Sequence, residues 1–159
     1  MNSNNTLTQL LSDYRGSIIK KEGLKMDNCI FCKIAHHEIG GKVLYEDDVC
    51  MAFLDLSQAT NGHTLVIPKK HYDNVLDVDQ QTLSHMMNVV QEIAKKLQNK
   101  LGALGFNVIT NMNEIAGQSV HHFHIHIIPR YQEDEGFKAI YQDRSDQVDL
   151  DDIYQKIMQ

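Results

Sequence analysis

His121-His122-Phe123-His124-Ile125-His126-Ile127-Ile128-Pro129 holds four of the chain's nine histidines and decides how the rest is read. In an extended strand successive side chains point to opposite faces. His122, His124 and His126 therefore share one face, while Phe123, Ile125 and Ile127 share the other, the core side. Imidazoles on the first face stand about 6.5–7 Å apart along the backbone, near the scale of one phosphoryl group. Imidazole serves as a nucleophile, as an acid or base near neutrality and as a metal ligand. Three of them on one strand face are costly to pack as core, so the pattern points to a site. A metal-sequestering, His-rich surface strand would alternate in the same way. An expression tag would be consecutive and terminal, and this run is interleaved and internal. His121 lies off the alternating face and reads as an ordinary surface or half-buried side chain.

Two segments upstream sharpen this reading. Gly117-Gln118-Ser119-Val120 leads into the run, and Asn111-Met112-Asn113 stands shortly before it. Glycine permits close backbone approach, and consecutive backbone N–H groups can form an anion nest. Ser119 and Asn111 are short neutral donors able to hold phosphate oxygens. Alone, Gly-Gln-Ser is an ordinary turn; before three same-face histidines it reads as an oxyanion cradle. The chain has three cysteines. Cys29 and Cys32 form a Cys-x-x-Cys pair, which by itself is a redox motif, half of a zinc site or chance. The zinc reading needs two more ligands, and His71 and His122 are available. Cys50, between Val49 and Met51, reads as core.

A chain of 159 residues with 42% hydrophobic and 23% charged residues suits one domain with a real core. The net charge of −6 argues against non-specific nucleic-acid binding. No apolar run approaches the ~20 residues that span a bilayer. Met1-Asn2-Ser3-Asn4-Asn5 lacks the basic start and apolar block of a secretory signal, so cytoplasm is the expected location, with no membrane partner. The coarse pattern gives a short helix at 29–35, a hairpin of Lys42–Glu46 and Val49–Asp55 around Asp47-Asp48, and a strand at His63–Pro68. Leu83, Met86, Met87, Val90, Ile93, Ala94, Leu97 and Leu101 recur at helical spacing, with Asp79 as N-cap and Gly102 as stop. That stripe reads as core or dimer contact. Phe106–Thr110 and His121–Pro129 supply the last two strands. Residues 1–25, polar with scattered Leu7, Leu10, Leu11, Ile18 and Ile19, allow a short amphipathic helix. The acidic tail after Tyr131 ends in another helical pattern.

The segment His122-Phe123-His124-Ile125-His126-Ile127-Ile128 resembles the hallmark of the histidine triad (HIT) hydrolases. Gly117-Gln118-Ser119-Val120 resembles the stretch that precedes it there. The likeness extends to Asn28-Cys29-Ile30-Phe31-Cys32-Lys33-Ile34, to Ala52-Phe53-Leu54-Asp55-Leu56-Ser57 and to the stretch from Gly62-His63-Thr64 through Ile67-Pro68-Lys69-Lys70-His71. It covers roughly Met26 to Arg130 and looks closest to the small bacterial Hit/Hint-like proteins. The resemblance implies an α+β fold: a five-stranded antiparallel sheet, or half-barrel, with one long helix and a short N-terminal helix. It divides the chain into an extension (1–25), a HIT domain (26–135) and a tail completing the domain (136–159). Residues 1–25 lie outside the likeness, as an extension or an upstream start, and receive no function.

The resemblance also implies chemistry. His124 would attack the α-phosphorus of a purine nucleotide conjugate, and water would then release the nucleoside monophosphate, splitting one hard displacement into two. His126 would donate a proton or hydrogen bond to the phosphate and leaving group. His122 would support the neighbouring nucleophile, and Ser119, Asn111, Gly117 and Gln118 would hold the phosphate. Asp55 would take the ribose hydroxyls, with Ile30, Phe31, Phe53 and Leu56 around the purine; without the family, a turn residue and core packing explain these five equally well. His63 is read as structural, near the pocket and outside the chemistry. Cys29, Cys32, His71 and His122 would bind a structural zinc ion. Relatives with nucleotidyltransferase activity carry Gln in place of the third histidine, so His126 favours hydrolysis. A homodimer with a continuous sheet is implied too. The expected substrates are adenosine 5′-phosphoramidate-type conjugates or, with the same residues, diadenosine polyphosphates. From other classes, a nucleotide-binding regulatory protein with residual turnover and a metal-buffering protein remain open.

Overall fold

The computed structural model describes residues 28–159, so the helix expected within residues 1–25 lies outside the described part. The chain runs α1 (Ile30–Ala35), β1 (Val43–Glu46), β2 (Cys50–Leu54), β3 (Thr64–Pro68), α2 (Gln80–Leu101), β4 (Gly105–Ile109), β5 (Ile125–Arg130) and α3 (Leu150–Met158). The strands form one antiparallel sheet in the order β1-β2-β3-β5-β4. This is the α+β, HIT-like architecture that the sequence implies.

The period-two alternation of the strands separates two faces of the sheet. Cys50 and Ala52 of β2, Val66 of β3 and Phe123, Ile125 and Ile127 pack against Met86, Val89, Val90, Ile93 and Leu97 of α2. Each such side chain, fully buried, contributes about 1.5–3 kcal/mol, so this is the main core. On the opposite face Met51, Phe53, Leu65 and Ile67 meet Phe31, Cys32, Ile34 and Ala35 of α1 and the residues just before it. Short α1 is thus pinned by packing on the sheet face that also carries the histidines.

Local chemistry sets the ends of these elements. Asp79 caps α2 by accepting from the Thr82 amide, and Gly102 closes it at φ 73°, a left-handed geometry that glycine adopts without a Cβ penalty. Asp47 shapes the β1–β2 turn: Oδ1 accepts from the Val49 and Cys50 amides, and Oδ2 from the Tyr45 hydroxyl and His85 Nε2 of α2.

One boundary differs from the sequence expectation by more than a residue. The last strand begins at Ile125, not His121, because upstream backbone groups find partners outside the sheet: the Phe123 amide donates to the Tyr72 carbonyl and the His122 amide to Val120. The segment stays extended enough that His122, His124 and His126 keep one side and Phe123 the other. The tail does form a helix, capped by Asp149, but every residue from Lys138 onward is exposed. No helix among the described residues is long and apolar enough to cross a membrane.

Candidate active site

The histidine face is built at the start of β5. His124 and His126 lie with ring centroids 4.9 Å apart, and the Phe31 ring of α1 meets His124 edge-on at 5.2 Å. The rings stand closer than the backbone spacing, at an interplanar angle of 70°. His124 is buried, and its Nδ1–H donates to the His122 carbonyl at 2.7 Å. This fixes the tautomer: the proton sits on Nδ1, and Nε2 keeps an in-plane lone pair with no partner among the described residues. Burial also lowers the imidazole's affinity for a second proton, so at neutral pH His124 is a neutral base with one free nitrogen.

His126, paired across the sheet with Leu65 of β3 and Ile109 of β4, has a neighbour that sequence reasoning placed outside the chemistry. His63 Nε2 lies 3.0 Å from His126 Nδ1, with ring centroids 5.2 Å apart. Burial, reinforced by His124 and His63, pushes His126 down to about 4, so the His126 ring is neutral at neutral pH. Two arrangements are provided for. With His63 Nδ1–H donating to the Ser57 carbonyl at 3.1 Å, His63 Nε2 accepts from His126 Nδ1–H. With Nδ1 accepting from the Ala59 amide at 3.4 Å, His63 Nε2–H donates to His126, and His126 carries its proton on Nε2. A shift of the shared proton, with one proton entering at His126 Nε2 and one leaving at His63 Nδ1, switches His126 Nε2 from acceptor to donor. His63 stands two residues before Leu65, the cross-strand partner of His126, and this register, which the sequence alone does not show, brings the two rings together.

The loop 111–120 joins β4 to the histidine segment. Asn111 Nδ2 donates to the Gly117 carbonyl, Gly117 adopts φ 89°, and Ser119 is exposed. Asn113 sits at φ 64°, ψ 164°, a region that non-glycine residues avoid at a cost of roughly 1–3 kcal/mol. Gln118 holds it there. Gln118 is buried, its Oε1 accepts from the Asn113 amide at 2.8 Å, and its Nε2 donates to the Asp73 and Val120 carbonyls. All its polar side-chain partners are backbone groups. Asp55 stands at the end of β2, where Oδ1 accepts from the Ser57 amide and Oδ2 lies 3.8 Å from His63 Nε2. Phe31 and Phe53 pack edge-to-face at 6.0 Å inside the second core, whereas Ile30 and Leu56 are exposed.

A second cluster lies on the other side of His122. Cys29, Cys32, His71 and His122 bring one ligand atom each within 4.8 Å of one another. Cys29 Sγ caps α1 by accepting from the Cys32 amide and lies 3.4 Å from His122 Nδ1. Cys32 Sγ lies 3.4 Å from His122 Nδ1 and 3.2 Å from His71 Nδ1. Both imidazoles are turned inward by outer acceptors: His122 Nε2–H donates to the Pro68 carbonyl at 3.0 Å, and His71 Nε2 faces Asp73 Oδ1 at 3.2 Å. Two lone-pair nitrogens thus face two thiols, and burial pushes the Cys32 thiol up to about 12 and His122 down to about 4. This donor set, with its outer hydrogen bonds, fits a tetrahedral divalent cation, which would ionise the thiols.

Residues 36–133 match the HIT domain. The chain belongs to the HIT family. It is 42% identical over 127 residues to Protein hit of Bacillus subtilis, covering 80% of this chain and 88% of that protein. It is 38% identical over 108 residues to the adenylylsulfatase HINT3 of Arabidopsis thaliana, covering 68% and 55%. Among solved structures, this HIT chain resembles a HIT family protein from Bacillus anthracis (TM-score 0.78, 42% identity, 83% and 94% covered). It also resembles a zinc-bound histidine triad family protein from Mycobacterium smegmatis (TM-score 0.67, 34% identity, 76% and 88% covered). The HIT family falls within a superfamily of nucleotide-binding hydrolases and transferases.

Proposed function

We propose that this chain hydrolyses purine nucleotide conjugates of the adenosine 5′-phosphoramidate type, cleaving at the α-phosphate through a nucleotidyl intermediate on His124. The observation that carries this reading is the 2.7 Å hydrogen bond from His124 Nδ1 to the His122 carbonyl. It leaves Nε2 as the free nucleophilic nitrogen. Attack of Nε2 on phosphorus forms the P–N bond and breaks the bond to the leaving group, whose electron pair takes the proton on His126 Nε2. His63 hands its Nε2 proton to His126 Nδ1 and regains one from solvent at Nδ1, giving the arrangement in which His126 Nε2 accepts a proton from water; the reverse shift then returns the extra proton to solvent. Water opens the P–N bond, the nucleoside monophosphate leaves and His124 is restored.

Ser119, Asn111 and the backbone at Gly117 receive the phosphate oxygens, Gln118 positions that loop, and Asp55 takes the ribose hydroxyls. Ile30 and Leu56 flank the base in front of Phe31 and Phe53. A structural zinc ion belongs at Cys29, Cys32, His71 and His122, where it ties α1 to the catalytic segment and fixes His122, whose carbonyl holds His124; the zinc-bound relative supports this assignment. The adenylylsulfatase relative supports an adenylyl group on the substrate. The exposed Leu104 and Val108 at the β4 edge support a homodimer that continues the sheet. Cytoplasmic location completes the reading.

Steady-state turnover of an adenosine 5′-phosphoramidate and of diadenosine tetraphosphate, with wild type beside His124→Ala, tests it. Phosphoramidate turnover that disappears with His124 is expected. A preference for the dinucleotide would keep the mechanism and change the substrate. Nucleotide binding without turnover of either would replace the enzyme with a binding protein.

A further inference from the structure

Three groups of side chains among the described residues have donor sets suited to a metal ion, and one of them is neither the Cys-His cluster nor internally satisfied. In the group Asp47, Cys50 and His85, both carboxylate oxygens of Asp47 are already taken, by two amides, the Tyr45 hydroxyl and His85. The third group, Asp55, His63 and His126, is different. Asp55 Oδ1 is tied to the Ser57 amide, while Oδ2 has no hydrogen bond among the described residues and lies 3.8 Å from His63 Nε2. His63 Nε2 and His126 Nδ1 face each other at 3.0 Å, so one proton must lie between them or two lone pairs confront one another.

We propose that Asp55, His63 and His126 form a second metal site, for a first-row divalent transition-metal cation, whose occupancy blocks turnover. Metal–ligand bonds of 2.0–2.2 Å place tetrahedral neighbours about 3.3 Å apart. The two separations here, 3.0 and 3.8 Å, bracket that edge, and all three donor atoms lie within 4.8 Å of one another. The outer shell is in place. The Ser57 carbonyl takes the His63 Nδ1 proton and thereby turns Nε2 inward, as outer acceptors do for imidazole ligands. Gln58 braces the loop, donating to the Asp55 and His63 carbonyls and accepting from the Gly62 and His63 amides. His126 needs only to carry its proton on Nε2. The geometry of a loaded site is then His63 with its proton on Nδ1 and His126 with its proton on Nε2. The fourth position is left for water or a phosphate oxygen. Imidazole, imidazole and carboxylate suit Zn²⁺ or Co²⁺ better than Mg²⁺.

The effect on turnover rests on the role given above to His126 and His63. A cation on His126 Nδ1 and His63 Nε2 removes the proton shift between them, so His126 can no longer alternate between donor and acceptor. The metal-binding claim stands apart from that role.

The test uses the full chain loaded with one equivalent of Zn²⁺, which fills the Cys-His cluster, and then titrated with Co²⁺. The expected result is a ligand-field absorption band without thiolate-to-cobalt charge transfer, saturating at one further equivalent. In His63→Gln the cobalt affinity falls by at least about a hundredfold, and Asp55→Asn weakens it less. Phosphoramidate turnover by the wild type falls in step with the band. No ligand-field band, a band carrying thiolate charge transfer, or binding unchanged in both variants would overturn the site. A cobalt band in a protein that turns over neither substrate even without cobalt would keep the site and reject the hydrolase reading. Normal turnover with no band would do the reverse. Circular dichroism of both variants separates lost ligands from lost folding.

Discussion

Two histidine clusters share one side of the sheet, and the same side chain does different work in each. His122 and His126 stand four residues apart, and burial pushes both down to about 4. What separates them is the partner at each ring nitrogen. His122 gives its Nε2 proton to the Pro68 carbonyl and turns Nδ1 to two thiols. His126 turns Nδ1 to another imidazole and leaves Nε2 without a partner among the described residues. One ring is fixed in a single tautomer, as a metal ligand requires; the other can exchange a proton. His124, between them, takes its tautomer from the backbone carbonyl of His122. In the proposed roles, neighbouring acceptors, more than the histidines themselves, sort ligand from nucleophile from acid.

The comparison breaks most visibly at His124. Replacing it with Ala is expected to lower turnover by more than about 10³-fold with the nucleotide still bound, measured by steady-state kinetics and equilibrium binding. Replacing His126 with Ala is expected to cost about 10²–10⁴-fold. The loss should shrink for a substrate whose leaving group needs no proton, and a series of leaving groups checks this. On the ligand side, Cys32→Ser is expected to abolish stoichiometric zinc binding and lower the melting temperature, with a smaller loss of turnover. Saturation at about 1,000 Kd corresponds to about 4 kcal/mol, readable by calorimetry with and without chelator.

Acidity sharpens the same contrast. An ordinary imidazole takes its proton near 6.5, and buried His126 near 4. Between these values the unfolded chain binds more protons than the folded one, so stability is expected to fall as pH drops from about 6.5 toward 4. Chemical denaturation across that range measures the slope. The acid limb of kcat/KM should likewise lie below the ordinary imidazole range, because burial lowers His124 too. The smallest effect lies away from both clusters. Asp47→Ala removes an acceptor of four hydrogen bonds and should cost about 1–3 kcal/mol with turnover nearly unchanged, by urea denaturation beside kinetics.

Much of this was legible in the sequence because it depends on short-range pattern. The alternation from His122 to Ile127 fixed which side chains face the core, and Asp79 and Gly102 marked the ends of α2. The Cys29–Cys32 spacing with His71 and His122 named a ligand set that the fold does bring together. What was not legible depends on partners distant in sequence. The late start of β5 follows from the Phe123 amide choosing the Tyr72 carbonyl. The role of Gln118 as a brace for strained Asn113 depends on where the Asp73 carbonyl lies. His63 looked like the lead-in to a strand until cross-strand register set it against His126. The exposed tail helix shows the opposite limit, since its amphipathic pattern fixed a helix without fixing a packing site.

The most direct test of the nucleophile is to quench the enzyme during turnover of an adenosine phosphoramidate under alkaline conditions, where a P–N bond survives, and to map the protein by mass spectrometry. An adenylyl group on the peptide carrying His124, absent in His124→Ala, is the expected result. Turnover with no covalent adduct, or an adduct on another residue, would contradict the account.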